Sequence, residues 1–149
     1  MSRSRSVAER KADVVAALEA QGDLWLATAG AAGRPHLIAV SAWWDGTDLV
    51  VATTGGSRTA TNLGAGSSVR LTAGTPADAI MIDARLMDRV DVAKAPEVAL
   101  GFAGALGWDP REVGPGWEFF RLRPTRIQAY RGYEELDGRN VMSDSRWLD

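Results

Sequence analysis

The segment Val50–Leu63 carries the residue types best suited to bind an anion. A strand that ends in threonines is followed by Gly55-Gly56, which lets the backbone turn sharply and approach a ligand closely. Ser57, Arg58 and Thr59 then begin a predicted short helix, where free N–H groups, hydroxyls and a guanidinium would favour a phosphate. The spacing alone also fits a capped helix with a solvated Arg58, and no Gly-Lys-Ser/Thr sequence marks a Walker loop.

Cysteine and histidine are scarce, which limits the chemistry open to the chain. With no cysteine and only His36, the sequence excludes disulfides, thiolate metal sites, cysteine nucleophiles and metal sites built from several imidazoles. Carboxylate-bound magnesium or calcium stays open, but we assign no metal ligands and no catalytic residue, since no Ser-His-Asp arrangement is recognisable. Histidine is the usual acid–base side chain near neutral pH, and both a structural role and a role near a cofactor fit His36.

The charge of the chain indicates its expected partners. The formal net charge of −2 gives no general attraction to nucleic acid or to an anionic membrane, and only Lys11 and Lys94 of the 17 basic side chains are lysines. Arginine suits planar recognition of phosphate or carboxylate. No apolar stretch of about 18 residues and no signal core is recognisable. We therefore expect a cytoplasmic protein without nucleic-acid or membrane partners, forming one domain over residues 1–149.

Hydrophobic periodicity predicts a helix at residues 7–20, followed mainly by strands. Ser6 and Glu9 form a capping box at the start of this helix. Short apolar runs separated by Gly, Pro and Asp residues predict strands joined by tight turns, the first three forming an antiparallel meander. The predicted strands are 24–29, 36–44, 49–54, 68–75, 79–92, 117–122 and 125–130, and the later helices are 57–63 and 96–106.

Less regular structure is expected towards the C-terminus. Pro124 should interrupt the two late strands because proline lacks a backbone N–H. Residues 137–149 should form an irregular tail, in which Trp147 could cover a neighbouring pocket. Adjacent Trp43 and Trp44 should point to opposite faces of their strand. Five to seven strands with helices predict a small β-barrel, although periodicity does not choose its topology.

The order of several short motifs resembles a known family. Gly33-Arg34-Pro35-His36, the strand that ends at Trp44, Asp45-Gly46, and the segment from Ala52 to Leu63 are similar to the pyridoxamine 5′-phosphate oxidase-like flavin-binding split barrels. The resemblance is strongest over residues 24–75. It implies a mainly β protein with helices (β/α+β), built as a six- to seven-stranded antiparallel Greek-key split barrel that binds a flavin-type cofactor.

The resemblance also implies where the cofactor lies and how the chain assembles. It implies a homodimer with FMN at each of two equivalent sites in the interface, and a small-molecule substrate. The ring lies against the second and third strands in this family. The ribityl-phosphate contacts are matched by Thr53, Ser57, Arg58 and Thr59, the strand backbone that faces the ring by Val40 and Ser41, and weaker members of the set by Thr54 and Asn62.

Departures from the family pattern narrow the activity that we expect. Thr59 stands where the oxidases that make pyridoxal phosphate carry a lysine, and Ala52 stands where they carry an aromatic residue. No C-terminal cluster for a substrate phosphate is recognisable, so oxidation of vitamin B6 is disfavoured. We expect an FMN-dependent oxidoreductase. The alternatives are a reductase that uses the deazaflavin coenzyme F(420), and a non-catalytic flavin- or haem-binding protein.

Overall fold

Antiparallel strands make up most of the regular secondary structure in this computed structural model, which describes residues 3–20 and 22–149. The capping box of Ser6 and Glu9 begins the first helix as predicted. The elements in chain order are α1 (Val7–Glu19), β1 (Asp23–Ala29), β2 (Pro35–Trp44), β3 (Leu49–Thr54), α2 (Arg58–Gly64), β4 (Val69–Thr72), β5 (Ala79–Asp91), α3 (Pro96–Leu106), β6 (Trp117–Tyr130), β7 (Asn140–Ser143) and β8 (Arg146–Trp147).

Two antiparallel meanders join to close the sheet into a barrel. β1, β2 and β3 form the predicted first meander, and β4, β5 and β6 form the second. Pairing of β1 with β4 and of β3 with β6 connects the two meanders, while β7 and β8 extend the sheet beyond β6. The six-stranded barrel with its helices confirms the predicted split-barrel fold.

The barrel interior holds the larger of two apolar cores found in the described residues. Leu26, Ile82 and Phe120 are fully buried there, and α1 and α2 add apolar residues to the same cluster. Burying a side chain of this size stabilises the fold by about 1.5–3 kcal/mol. The interior is therefore filled with side chains, which leaves the outer surface and the strand edges for ligands.

The second core lies between α3 and the outer face of β3 and β6. Phe102 on α3 packs against Phe119, with ring centroids 5.4 Å apart. Trp43 lies on this outer face and Trp44 inside the barrel, which confirms that they point in opposite directions. A side chain at Gly101 would collide with the Trp43 ring, so glycine lets α3 approach the strand.

The predicted interruption at Pro124 is wrong, because β6 continues through it. Pro124 lies opposite Ala84 at a register shift between Asp83 and Ala84. A bulge tolerates a residue without an N–H, because the ladder is already disrupted there. The Thr125 hydroxyl donates to the Asp83 carbonyl at 3.2 Å and bridges the irregular step. One long strand therefore replaces the two that the sequence predicts.

The predicted irregular tail at 137–149 is also wrong, since it contains the β7–β8 hairpin. Val141 and Met142 are buried in the main core, and Met142 lies opposite Trp147. Asp144 and Ser145 make the turn with φ values of 52° and 60°, which suits the left-handed turns that close two-residue hairpins. The apolar residues of the tail therefore complete the barrel core.

Arg10 joins α1 to the loop that follows β6. Its side chain is buried, and its Nη1 donates to the carbonyls of Ala129, Glu135 and Gly138 at 2.9, 3.0 and 3.1 Å. A guanidinium that serves several carbonyls satisfies acceptors that burial would otherwise leave unpaired. These hydrogen bonds join α1 to β6 and to the loop that follows it.

Glu135 is the buried anionic counterpart in the same region. It accepts a hydrogen bond from the Arg5 guanidinium at 2.7 Å and from the main-chain N–H groups of Arg5 and Arg131 at 2.8 Å. The Arg5 side chain is the main cause that lowers the pKa of Glu135 to about 2, with the two backbone donors contributing. The carboxylate is therefore stable as an anion throughout the ordinary pH range.

We predict that Glu135→Gln lowers the free energy of unfolding by about 1.5–3 kcal/mol, the value of a hydrogen bond to a charged group, because the Arg5 guanidinium loses its closest anionic partner and keeps Asp13 at 2.9 Å. The exposed Glu134→Gln is the matched control and should change it by less than about 0.5 kcal/mol. Urea unfolding at pH 7 measures both. Because the folded pKa of Glu135 lies below its unfolded value, its contribution is complete above pH 4.5 and disappears towards pH 2. A constant difference between wild type and Glu135→Gln over that range would contradict this assignment.

Candidate functional site

β2 and β3 separate partway along their length. β2 pairs with β3 only at Ala42–Trp44, opposite Leu49–Val51, although its other edge pairs with β1 from Pro35 to Ser41. β3 continues to Thr54 because it remains paired with β6. Within the described residues, the edge of β2 that faces β3 therefore has no strand partner over its first seven residues.

This gap, between residues 35–41 of β2 and 52–54 of β3, is called the split. The main-chain N–H and C=O groups on a strand edge are strong hydrogen-bonding groups, and they require water or a ligand where no strand is present. The split thus offers a row of alternating donors and acceptors. A planar molecule with polar groups along one edge could bind there as a strand does.

The turn after β3 brings two predicted hydroxyls together at the end of the split. The Thr53 hydroxyl donates to the Ser57 Oγ at 3.2 Å, and the Ser57 Oγ accepts from the N–H of Ala60 at 3.1 Å. Ser57 is thus the N-cap of α2, as its position in the sequence predicts. The two hydroxyls lie on neighbouring positions that α2 and β3 hold in place.

An ion pair that the sequence does not indicate supports this turn. Arg89 donates to both oxygens of Glu118 at 2.9 and 2.8 Å, and these hydrogen bonds lower the pKa of Glu118. Glu118 lies opposite Thr53 in the ladder, and a side chain at Gly55 would collide with its carboxylate. Arg89 therefore neutralises a negative charge that would otherwise repel an anion bound at the turn.

Arg58 lines a cavity together with the hairpin that joins β1 to β2. The cavity has a volume of about 260 Å³, and Arg34, His36 and Arg58 are its cationic or titratable lining residues. Arg34 and Arg58 are exposed, and His36 is half-buried at the start of β2. The cavity, called the hairpin cavity here, therefore combines basic groups from two separate parts of the chain.

The other predicted residues have different surroundings. The Val40 side chain is buried in the barrel core, and the Ser41 hydroxyl donates to the Asp23 carboxylate at 3.1 Å. Thr59 is only 1% exposed, while Thr54 is exposed. Asn62, at 2% exposure, donates from Nδ2 to the Thr28 hydroxyl at 3.0 Å.

The predicted set thus divides into two groups. Thr53 and Ser57 meet at the turn and Arg58 extends from it, whereas Thr59 and Asn62 anchor α2 to the barrel with buried side chains. Val40 and Ser41 have only their main chain available to the split. The predicted set did not include Arg34, and for His36 the sequence left open both a structural role and a role near a cofactor. Both residues belong to the motif at 33–36 that contributed to the family resemblance.

Further features lie away from the split. A larger groove of about 900 Å³ runs past the C-terminal end of α2 and includes Arg70, Asp83 and Arg85, but none of the predicted site residues. Asp83 binds Arg70 at 2.8 Å and Arg126 at 2.7 Å. Residues 3–20 and 22–149 contain no cluster of three or more side chains able to hold a metal ion. None of the helices in that part of the chain has the length and apolar character needed to cross a bilayer.

The sequence and fold of this chain are similar to those of several known proteins. A family model for pyridoxamine 5′-phosphate oxidase matches residues 11–131. An F420 reductase superposes with a TM-score of 0.64 at 20% identity, covering 75% of this chain and 93% of that chain. No curated protein matches the sequence significantly.

Two further solved structures have different names but similar folds. A pyridoxamine 5′-phosphate oxidase-related, FMN-binding protein from Nostoc punctiforme has a TM-score of 0.59 at 16% identity, covering 85% of this chain and 87% of that chain. The haem storage protein HutZ from Vibrio cholerae has a TM-score of 0.57 at 15% identity, covering 92% of this chain and 99% of that chain. At these identities the similarity establishes a shared fold.

We predict that Gly55→Ala disturbs the turn, because its methyl group would displace the Glu118 carboxylate from the position that Arg89 fixes. The carboxylate is the far end of a partly exposed side chain, so the expected cost is about 0.2–1 kcal/mol, the range for a partly exposed ion pair, measured as the free energy of unfolding in urea. Gly56→Ala is the matched control, since nothing lies within 4 Å of its added methyl group. Equal free energies of unfolding for the two variants would show that the ion pair between Arg89 and Glu118 adjusts to the methyl group without loss of stability.

Proposed function

The chain belongs to the pyridoxamine 5′-phosphate oxidase family, and from this premise we propose that it is an FMN-dependent oxidoreductase whose cofactor occupies the split between β2 and β3. The observation that carries the proposal is the separation of these two strands beyond Ala42 and Val51. It leaves a row of main-chain groups beside a turn with hydroxyls and a cation. The two features are suited to the two ends of one flavin nucleotide.

The edge of β2 is suited to the polar edge of a flavin ring. Val40 and Ser41 lie in the stretch without a strand partner, and their side chains are engaged in the core and with Asp23 respectively. Consecutive residues of a strand direct their main-chain groups to opposite edges, so one of the two would bind the ring through its N–H and C=O groups. A flavin carries both donors and acceptors on its pyrimidine edge, so a strand edge can satisfy it as a neighbouring strand would.

The turn between β3 and α2 is suited to the ribityl-phosphate end. The paired hydroxyls of Thr53 and Ser57 lie at this end of the split, and Arg58 supplies a cation with no ion-pair partner in the described residues. Thr59 and Asn62 stabilise the turn indirectly, because their buried side chains hold α2 against the barrel. Thr54, exposed at the end of β3, lies beside the same turn.

The chain supplies binding, orientation and exclusion of water, and no protein nucleophile is required. A bound flavin accepts or donates a hydride, which is the chemistry that the proposed reaction takes from it. The residues around the split hold the cofactor by main-chain and hydroxyl groups. The substrate is then a small molecule that approaches the ring where the protein leaves it open.

A deazaflavin is the second candidate for the same split. Coenzyme F(420) carries a longer anionic tail than FMN. Arg34 lines the hairpin cavity together with Arg58 and would hold the further negative charge of this tail. A non-catalytic flavin or haem binder would retain the split without turnover. His36, the sole histidine of the chain, is the imidazole available to a haem iron.

An exposed apolar patch supports the proposed homodimer. Trp25, Ala27, Leu37 and Ala39 lie side by side on the outer face of β1 and β2, where Trp25 pairs with Ala39 and Ala27 with Leu37. Trp25 is 52% exposed and Leu37 61% exposed. β2 also forms one wall of the split, so a second copy of the chain packed on this patch would place each cofactor site beside the subunit interface.

We predict that the purified protein binds FMN and that Arg58→Ala weakens this binding by roughly 10- to 100-fold, the effect of losing a hydrogen bond to a charged group. Fluorescence titration with FMN measures the dissociation constants. Arg146→Ala is the matched control, because Arg146 is exposed on β8, away from the split. Unchanged affinity in Arg58→Ala would show that this guanidinium is only solvated.

The absorption spectrum separates the candidate cofactors in the same preparation. Flavin bands together with catalytic electron transfer from a reductant to an electron acceptor would support the oxidoreductase. Flavin bands without such turnover would indicate a carrier. A Soret band would select haem. Binding of coenzyme F(420) with no binding of FMN would select the deazaflavin.

We predict a dimer by multi-angle light scattering at micromolar concentration, and we expect Leu37→Asp to convert it to a monomer because a charge in an apolar interface is costly to bury. Leu100→Asp changes a leucine of comparable exposure, 66%, on α3 and should leave the dimer intact. A monomeric wild type, or dissociation of both variants, would contradict the proposed interface.

A further inference from the structure

We propose that the hairpin cavity is an anion subsite in which Arg34 and His36, together with Arg58, bind the phosphate of the cofactor. This inference rests on the proposed function and extends it, since the sequence pattern assigned the phosphate only to residues of β3 and α2. It makes the β1–β2 hairpin part of the binding site. It also makes binding depend on the protonation of a single histidine.

One hydrogen bond and one close approach of the backbone join α2 to β1 and its hairpin. Asn62 donates to Thr28 on β1, and Gly30 brings its backbone close to Asn62, whose Oδ1 would lie 3.7 Å from an added methyl group. Arg58 lies one helical turn before Asn62, so both residues are on the face of α2 that meets the hairpin. The Arg58 side chain is therefore directed towards the cavity by a fixed helix.

The hairpin itself presents Arg34 and His36 from a tight turn. The Gly33 N–H donates to the Gly30 carbonyl at 2.8 Å, and the Gly30 N–H donates to the Arg34 carbonyl at 2.9 Å. Gly33 has a φ of +80°, which favours glycine. The backbone at Arg34 and His36 is thus well defined, and the cavity does not depend on a loose loop.

The charges around the cavity are unbalanced. Its lining includes no carboxylate, and the structure shows no side-chain hydrogen bond or ion pair for Arg34 or Arg58 within the described residues. Several arginines elsewhere are paired with carboxylates, as in Arg5 with Glu135, Arg89 with Glu118 and Arg123 with Asp48. Like charges that share a small cavity repel one another, and a bound anion converts that repulsion into attraction.

The size of the cavity suits a phosphate group and not a ring system. At about 260 Å³, it is smaller than the pockets that enclose drug-sized ligands. Guanidinium groups bind phosphate oxygens through paired N–H donors. The ring of the cofactor would therefore stay in the split, with only its charged end in the hairpin cavity.

His36 makes the subsite sensitive to pH. The residues that face it are Thr28, its neighbour across the β1–β2 ladder, and Arg34 and Arg58 around the cavity, none of which is acidic. Imidazole gains its charge between about pH 8 and 5, and a bound phosphate dianion favours the charged form. FMN affinity should therefore rise as the pH falls from 8 to 6.5, before the phosphate itself gains a proton near about pH 6.

The uncharged residue at position 59 is the reason why the positive charge of this subsite matters for phosphate binding. The related oxidases carry a lysine at this position, whereas Thr59 is buried and uncharged. α2 therefore has Arg58 as its only basic side chain. Arg34 supplies positive charge that α2 lacks, and His36 adds to it when its imidazole is protonated.

The test compares FMN with riboflavin, which shares the ring and lacks the phosphate. We expect Arg34→Ala and His36→Gln to weaken FMN binding by about 10-fold each, with riboflavin affinity unchanged, since losing a charged hydrogen bond has this effect. Arg146→Ala is the control and should bind both ligands as the wild type does. The rise in FMN affinity from pH 8 to 6.5 should disappear in His36→Gln. Equal FMN affinity in wild type and both variants would overturn the subsite.

A second measurement does not require flavin binding. The chain has one histidine, so its imidazole gives one proton NMR signal, which can be titrated with and without inorganic phosphate. We expect phosphate to move the titration midpoint of His36 to higher pH in the wild type and not in Arg34→Ala. No phosphate effect in the wild type would overturn the subsite. A phosphate effect without any FMN binding would retain the subsite and reject the proposed function.

Discussion

The separation of β2 from β3 is the constraint on which the rest of the structure depends. β3 keeps its hydrogen bonds with β6 to Thr54, and β2 keeps its bonds with β1 from Pro35, whereas β2 and β3 pair with each other only at Ala42–Trp44 and Leu49–Val51. A buried main-chain group without a partner costs about 1–3 kcal/mol. An edge of this kind is stable only in contact with water or with a ligand that hydrogen-bonds as a strand does.

α2 gives this gap a defined end. Its buried side chains, among them Asn62 and Thr59, fix it against the barrel, and Ser57 caps its first turn. On the opposite side, the ion pair between Arg89 and Glu118 occupies the space beside Gly55. The exposed groups of the turn are therefore held by contacts that a ligand would not disturb. This is the arrangement expected of a binding site formed before its ligand arrives.

Local signals allowed most elements to be predicted, whereas long-range contacts were not visible in the sequence. The cap at Ser57 and the periodicity of α1 and α3 act within one or two helical turns, so they can be read directly. The bulge at Pro124 depends on β5, 40 residues earlier at Ala84, and the tail becomes regular only because the core accepts Val141. The meeting of Arg34 with Arg58 likewise requires the docking of α2 on the hairpin.

The chemistry of the split explains why membership of the family does not by itself choose the ligand. In the proposed site, the edge of β2 would bind the ring through main-chain groups, which any residue supplies, so FMN, a deazaflavin and other flat molecules would be satisfied there equally. Discrimination must come from side chains at the ends of the split, where these ligands differ in number and position of negative charges. In this chain the cations at that end are Arg34, Arg58 and the titratable His36. If the proposed site is correct, the spacing of these three groups, and not the barrel, would set which cofactor the protein prefers.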